Sequence, residues 1–201
     1  MLRLLTVVAL LATLTTPASS QILWDSPPLI SPAVPGGLSL FMLNPAGGDL
    51  GGLATLRHSA GPVGLGYRAA VAQEDTSGDL AYSVGLDVSG YLARAVEGSE
   101  IDVIWWGGAG VGVGSETMVT TPLGIVLGWS GSGGDVMLSP YVGGHVILDV
   151  STQDDESVGF AGVLDLGLDI VLPSGWMVRA GASLGDRESL ALGIKVPGGG
   201  G

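Results

Sequence analysis

Residues 80–89 read LAYSVGLDVS. Leu80, Tyr82, Val84, Leu86 and Val88 alternate there with Ala81, Ser83, Gly85, Asp87 and Ser89. Successive side chains of a strand point to opposite faces, so this period of two gives one apolar face and one small or polar face. A soluble sandwich uses short runs of that alternation. A tilted strand that crosses a bilayer needs about 9–11 residues of it. The pattern recurs at membrane-crossing length. On 101–113 the apolar parity carries Ile101, Val103, Trp105, Val111 and Val113, and on 157–172 it carries Phe160, Leu164, Leu166, Leu168 and Ile170. The opposite parity carries Gly108, Gly110 and Gly112, then Asp165, Gly167 and Asp169.

Working outward, the alternation predicts strands over 37–43, 50–58, 62–72, 79–92, 101–114, 120–130, 135–150, 157–172, 175–185 and 189–196. They are separated by turn-forming stretches such as NPAGGD, QEDTSGD, VEGSE, STQDDES and PSG. The expectation is all-β: one closed antiparallel up-and-down transmembrane barrel of ten strands, with eight as the alternative. A secreted or periplasmic sandwich would instead bury the same apolar faces inside. Even-numbered residues of 80–88 and 164–170 and odd-numbered residues of 123–129 should face out.

Residues 1–20 carry Arg3, an apolar run from Leu4 to Leu14 and the small residues Ala18-Ser19-Ser20, the organisation of an export signal. Residues 21–36 (QILWDSPPLISPAVPG) read as a proline-rich, extended lead-in. The barrel is expected over 37–196, and 197–201 is a flexible glycine tail. The chain has no cysteine, which removes disulfide and thiol chemistry. Mean hydropathy is +0.52 without a helix-length apolar run after the signal, as expected when only one face of each strand meets lipid. A net charge of −12 with only seven Lys and Arg argues against nucleic acid as a partner.

The aromatic residues form a second pattern. Tyr91, Trp105, Trp129 and Trp176 fall near strand ends that share one rim in an up-and-down chain. Tyr and Trp favour the membrane–water interface, so these four read as an aromatic girdle. With both termini periplasmic, the opposite rim would carry longer, acidic loops around Glu74-Asp75 and Asp154-Asp155-Glu156. Neither cluster has the ligand spacing of a dedicated cation site.

Together, the export signal, absence of cysteine, two-residue repeats, aromatic rim and acidic loops resemble the small outer-membrane β-barrels of diderm bacteria, over roughly 37–196. The resemblance is architectural and rests on no family motif. The chain departs from it at the end: such proteins commonly finish on an aromatic residue, and this last strand ends at Val196. The resemblance implies the bacterial outer membrane as location, membrane lipid and the barrel-insertion machinery as partners, and a monomer.

Function would lie on the inward face. Its predicted polar network comprises Arg68, Asp87, Asp102, His145, Asp149, Asp165, Asp169, Arg179 and Lys195, with Arg57 nearby. These charges nearly cancel, which favours a side-chain-filled interior, structural or at most a narrow passive channel, over a selective open pore. One alternative is a surface adhesin acting through the acidic loops. Another is a rim-located hydrolase using His145 with Asp149 or Asp165, since a His–carboxylate pair can activate water. No G-x-S-x-G, H-E-x-x-H or phosphate-loop motif is present, and no cofactor or metal is expected. GAGVGVG (108–114) alternates within a strand with no helix after it, so its glycines read as close interior packing. The turn Pro173-Ser174-Gly175 places Asp169 opposite Arg179, and Asp186-Arg187-Glu188 would place Arg179 opposite Lys195.

Overall fold

A computed structural model describes residues 24–32, 36–60, 63–75, 77–93, 101–129, 131–133, 135–151 and 158–197. The stretch expected to be an export signal, 1–20, and the acidic cluster at 154–156 lie outside these residues. The elements are β1 (Gly37–Asn44), β2 (Gly48–Ala60), β3 (Val63–Glu74), β4 (Leu80–Ala93), β5 (Ile101–Val113) and β6 (Thr117–Trp129). They continue with β7 (Gly131–Gly133), β8 (Val136–Ser151), β9 (Val158–Val171), β10 (Met177–Gly185) and β11 (Ser189–Lys195). Each long strand pairs antiparallel with its sequence neighbours, β6 pairs with β8, and β11 pairs with β1. The result is a closed, up-and-down, ten-strand barrel. β7 only extends the ladder at the start of β8, through Gly131–Leu138 and Gly133–Val136. Closure matters because it leaves no strand edge with unpaired backbone groups, which hydrocarbon cannot satisfy.

The parity holds around the ring. Leu80, Tyr82, Val84 and Leu86, then Leu164, Leu166 and Leu168, and Leu123, Ile125 and Leu127 are all exposed on the outer face. Ser83, Asp87, Asp165, Asp169 and Arg179 are buried on the inner one. A water-soluble protein does not cover itself with so continuous an apolar surface.

Three details differ from the sequence expectation. First, β6 begins at Thr117, so the β5–β6 turn is only Gly114-Ser115-Glu116. Second, Arg179 stands opposite Asp169 as expected, but on the other side it faces Gly193, and Lys195 faces Met177. The cause is local: β10 leaves β11 after the Ser183–Ser189 pair, and Gly185, at φ +113°, turns the chain so that Arg187 drops into the barrel. Third, the acidic turn at 75–79 is not longer than every connection at the opposite rim. The connection 75–79 is five residues, against seven for 94–100 at the opposite mouth.

Candidate functional site: the filled lumen

The proline-rich segment does not trail away from the barrel. Residues 24–32 lie inside it and every one is buried. The segment runs from one mouth to the other. At the far mouth, formed by turns such as 45–47 and 186–188, the Ala46 N–H donates to the Asp25 carbonyl at 3.0 Å, and the Asp25 carboxylate pairs with Arg187. In mid-barrel Arg68 Nη2 donates to the Pro27 and Pro28 carbonyls at 3.1 and 3.2 Å. Lower down, Arg179 Nη2 donates to the Leu29 carbonyl at 2.7 Å. At the near mouth, where the strand ends Gly37 and Lys195 meet, the Tyr91 hydroxyl donates to the Pro32 carbonyl at 2.9 Å.

The chemistry of proline explains the match. An extended proline-rich chain has few N–H groups to satisfy and presents a row of carbonyl acceptors. The wall supplies side-chain donors, two of them guanidinium groups, and a hydrogen bond to a charged donor contributes about 1.5–3 kcal/mol. Glycines supply the space. A Cβ on Gly108 would meet the Trp24 ring at 2.9 Å, one on Gly181 would meet Leu29 at 2.7 Å, and one on Gly128 would meet Pro32 at 2.9 Å. Part of the inward glycine pattern is therefore the imprint of the segment. Trp24 itself is stacked on Trp106 at 5.7 Å between ring centres, with the Arg68 guanidinium 4.6 Å from its ring centre.

Around the segment the wall closes with its own ion pairs. Arg179 Nε meets Asp169 Oδ1 at 2.9 Å, both nearly inaccessible. Arg57 pairs with Asp87 and donates to Ser89 Oγ at 3.0 Å. Arg187 bridges Asp25 and Asp149, and Asp149 also accepts from the Thr120 hydroxyl at 2.5 Å. His145 Nδ1 lies 2.6 Å from Asp165 Oδ2, whose other oxygen accepts from the Ser183 hydroxyl at 2.6 Å. Asp102 is half-buried on the inward parity of β5, and Lys195 is buried at the near mouth beside Gly37. Between Leu29, Arg57, Arg68, Asp87 and Arg179 a cavity of about 20 Å³ remains, room for about one water.

Two site expectations are corrected. Tyr91 is not part of an outer girdle: its odd-numbered position on β4 faces the lumen, where it packs on the core and holds Pro32. The extra residue Leu92 bulges out instead and is exposed. Nor do His145 and Asp149 form a rim dyad. His145 pairs with Asp165, the other carboxylate the sequence offered, but is buried in mid-strand and not at the rim, while Asp149 is taken by Arg187 and Thr120. In the triad arrangement His stands between nucleophile and carboxylate; here the carboxylate stands between His145 and Ser183. Trp129 and Trp176 do project outward at the near rim. Trp105 pairs with Ile125, and on the same ladder Trp129 pairs with Ile101, so Trp105 sits four residues further in.

Sequence reasoning missed Trp24, Asp25, Trp106 and Arg187. One signal was available: in an alternating strand, the adjacent pair Trp105-Trp106 must place one ring on each face. For Glu74, the structure shows a brace in place of a cation ligand. It accepts from the Ser77 hydroxyl at 2.8 Å and the Ser115 N–H at 3.0 Å, joining two turns of the far mouth.

No protein-family model matches the sequence, and no curated protein matches it. Among solved structures, the chain is similar to one titled "Bacterial polysaccharide outer membrane secretin", with TM-score 0.48, 8% identity, and coverage of 74% of this chain and 56% of that one. It is also similar to one titled "KdgM porin", with TM-score 0.38, 9% identity, and coverage of 78% of this chain and 96% of that one. The barrel architecture described above stands on the strand register and not on these likenesses.

Proposed function

We propose that this protein is an integral barrel of the bacterial outer membrane whose lumen is held closed, a structural barrel that does not conduct freely. Its partners are then membrane lipid and, during assembly, the barrel-insertion machinery, and it works as a monomer. The observation that carries this reading is the occupation of the lumen by residues 24–32, buried throughout and anchored at both mouths. The outer face supports the location, because its apolar side chains are stable only against lipid or another apolar surface. The short connections give the adhesin reading no added support.

Fractionation and electrical recording test this together. The mature chain should partition with outer membranes and resist urea extraction. In planar bilayers it should insert with no conductance above baseline. Release by urea, or a stable open channel from the unaltered protein, would overturn the reading.

A further inference from the structure

The contacts to residues 24–32 have the character of ligand recognition. The barrel wall holds main-chain carbonyls of the segment through Arg68, Arg179 and Tyr91, and reads its leading end by side chain, through Trp106 for Trp24 and Arg187 for Asp25. Carbonyl recognition along an extended proline-rich chain, with an aromatic pocket for one side chain, is how free proline-rich peptides are bound elsewhere. Both lining and segment carry spare donors: Arg68 Nη1 and the Trp106 indole N–H of the wall, and the Trp24 indole N–H of the segment, are buried and have no acceptor within the described protein. Leu29 carries a third mark. Its φ of +54° puts a branched side chain in the left-handed region, a strained conformation that persists only where the surroundings impose it. The Arg179 hydrogen bond falls on that residue's carbonyl.

We propose that the lumen is a binding site for a proline-rich peptide led by a Trp-Asp pair, that residues 24–32 are its tethered occupant, and that vacating the site turns the barrel into a pore. The wall does not depend on the segment for its ring, since every ladder, including the closing β1–β11 pairs, is made between strands. The inference rests on the membrane-barrel reading above.

The test compares the mature chain with a variant lacking residues 21–32, each checked for folding by heat-modifiable gel migration, in planar bilayers. The variant should show stepwise conductance where the full chain shows none. A synthetic peptide of residues 21–36 should block it, and the same peptide with Trp24→Ala and Asp25→Ala should need at least tenfold more for equal block. A folded, inserted but silent variant would overturn the proposal, as would block by neither peptide or by both equally. If the deletion prevents folding, full-length Trp24→Ala and Arg187→Gln decide the matter. Each loosens the leading end and should give brief openings, and the absence of openings in both overturns the proposal. Failure of the membrane reading is distinguishable, because no form of the protein would then co-fractionate with membranes.

Discussion

The outer and inner faces of the same strands obey opposite rules. Outside, Leu164, Leu166 and Leu168 are exposed and have no specific partner to satisfy, so on the membrane reading any apolar side chain of similar size should do as well. Inside, one residue away, Asp165 and Asp169 each have a named partner, and glycines stand where another part of the chain passes. The outer face therefore needs a class of residue and the inner face needs particular residues. Mutations should cost more on the inner face at equal chemical severity, and the order of those costs can break the comparison.

The largest effect is expected at Asp169 and Arg179. Both are almost fully buried, and Arg179 serves Asp169 and the Leu29 carbonyl at once. Removing one partner of a buried pair leaves an uncompensated charge, so Asp169→Ala should cost about 3–5 kcal/mol, with the double variant recovering part of the loss. Heat-modifiable migration over a temperature series measures it. Equal stability of both single variants and the wild type would show that water reaches the pair freely.

On the outer face the matched test is Leu166→Arg. An arginine on the lipid face near the bilayer midplane costs about 2–4 kcal/mol, falling toward the interfaces. Folding yield into lipid vesicles under a urea series should show this loss, and Leu166→Ile should show almost none. No penalty for arginine would mean that this face does not meet hydrocarbon.

A subtler pair lies on β5. Gly108 faces in, and an added Cβ would press on the Leu86 carbonyl at 2.7 Å and the Trp24 ring at 2.9 Å. Because one neighbour is backbone, Gly108→Ala should cost about 1–3 kcal/mol through overpacking. Ala109 is exposed on the other face, and Ala109→Val should change stability by less than about 0.5 kcal/mol. Protease susceptibility of residues 24–32 should also rise in Gly108→Ala and not in Ala109→Val.

The two faces differ in legibility for the same reason that they differ in tolerance. Period two is a local property, so the strands, their parity and the Asp169–Arg179 pairing could be read from a hairpin at a time. The occupant of the lumen is set by contacts between residues far apart in sequence, such as Asp25 with Arg187 and Leu29 with Arg179. Proline at 27, 28 and 32 signalled an extended chain but not its location. The Arg179–Lys195 juxtaposition failed because the β10–β11 ladder ends at the Ser183–Ser189 pair, so the loop is 184–188 in place of the expected 186–188, and Arg187 within it turns inward.

The smallest expected effect tests the depth of the outer aromatic residues. Trp129 and Trp176 are 45% and 41% exposed at the near rim. Trp105 is four residues further along the β5–β6 ladder than Trp129. At about 3.3 Å per residue and a tilt near 40°, that places Trp105 about 10 Å deeper. An indole at the interface is anchored by its N–H as well as by its ring, and deeper in the hydrocarbon only the ring counts. Single Trp→Phe changes at these exposed sites should alter stability by less than about 0.5 kcal/mol, so stability will not separate them. Fluorescence will. With the other tryptophans replaced by phenylalanine, Trp129 and Trp176 should be quenched most by lipids brominated near the headgroup, and Trp105 by lipids brominated further down the acyl chain. Trp106, buried against Trp24, should be quenched by neither. Equal depth for Trp105 and Trp129 would restore the single girdle that the sequence implied, and quenching of Trp106 by either lipid would mean that the two faces of β5 have been exchanged.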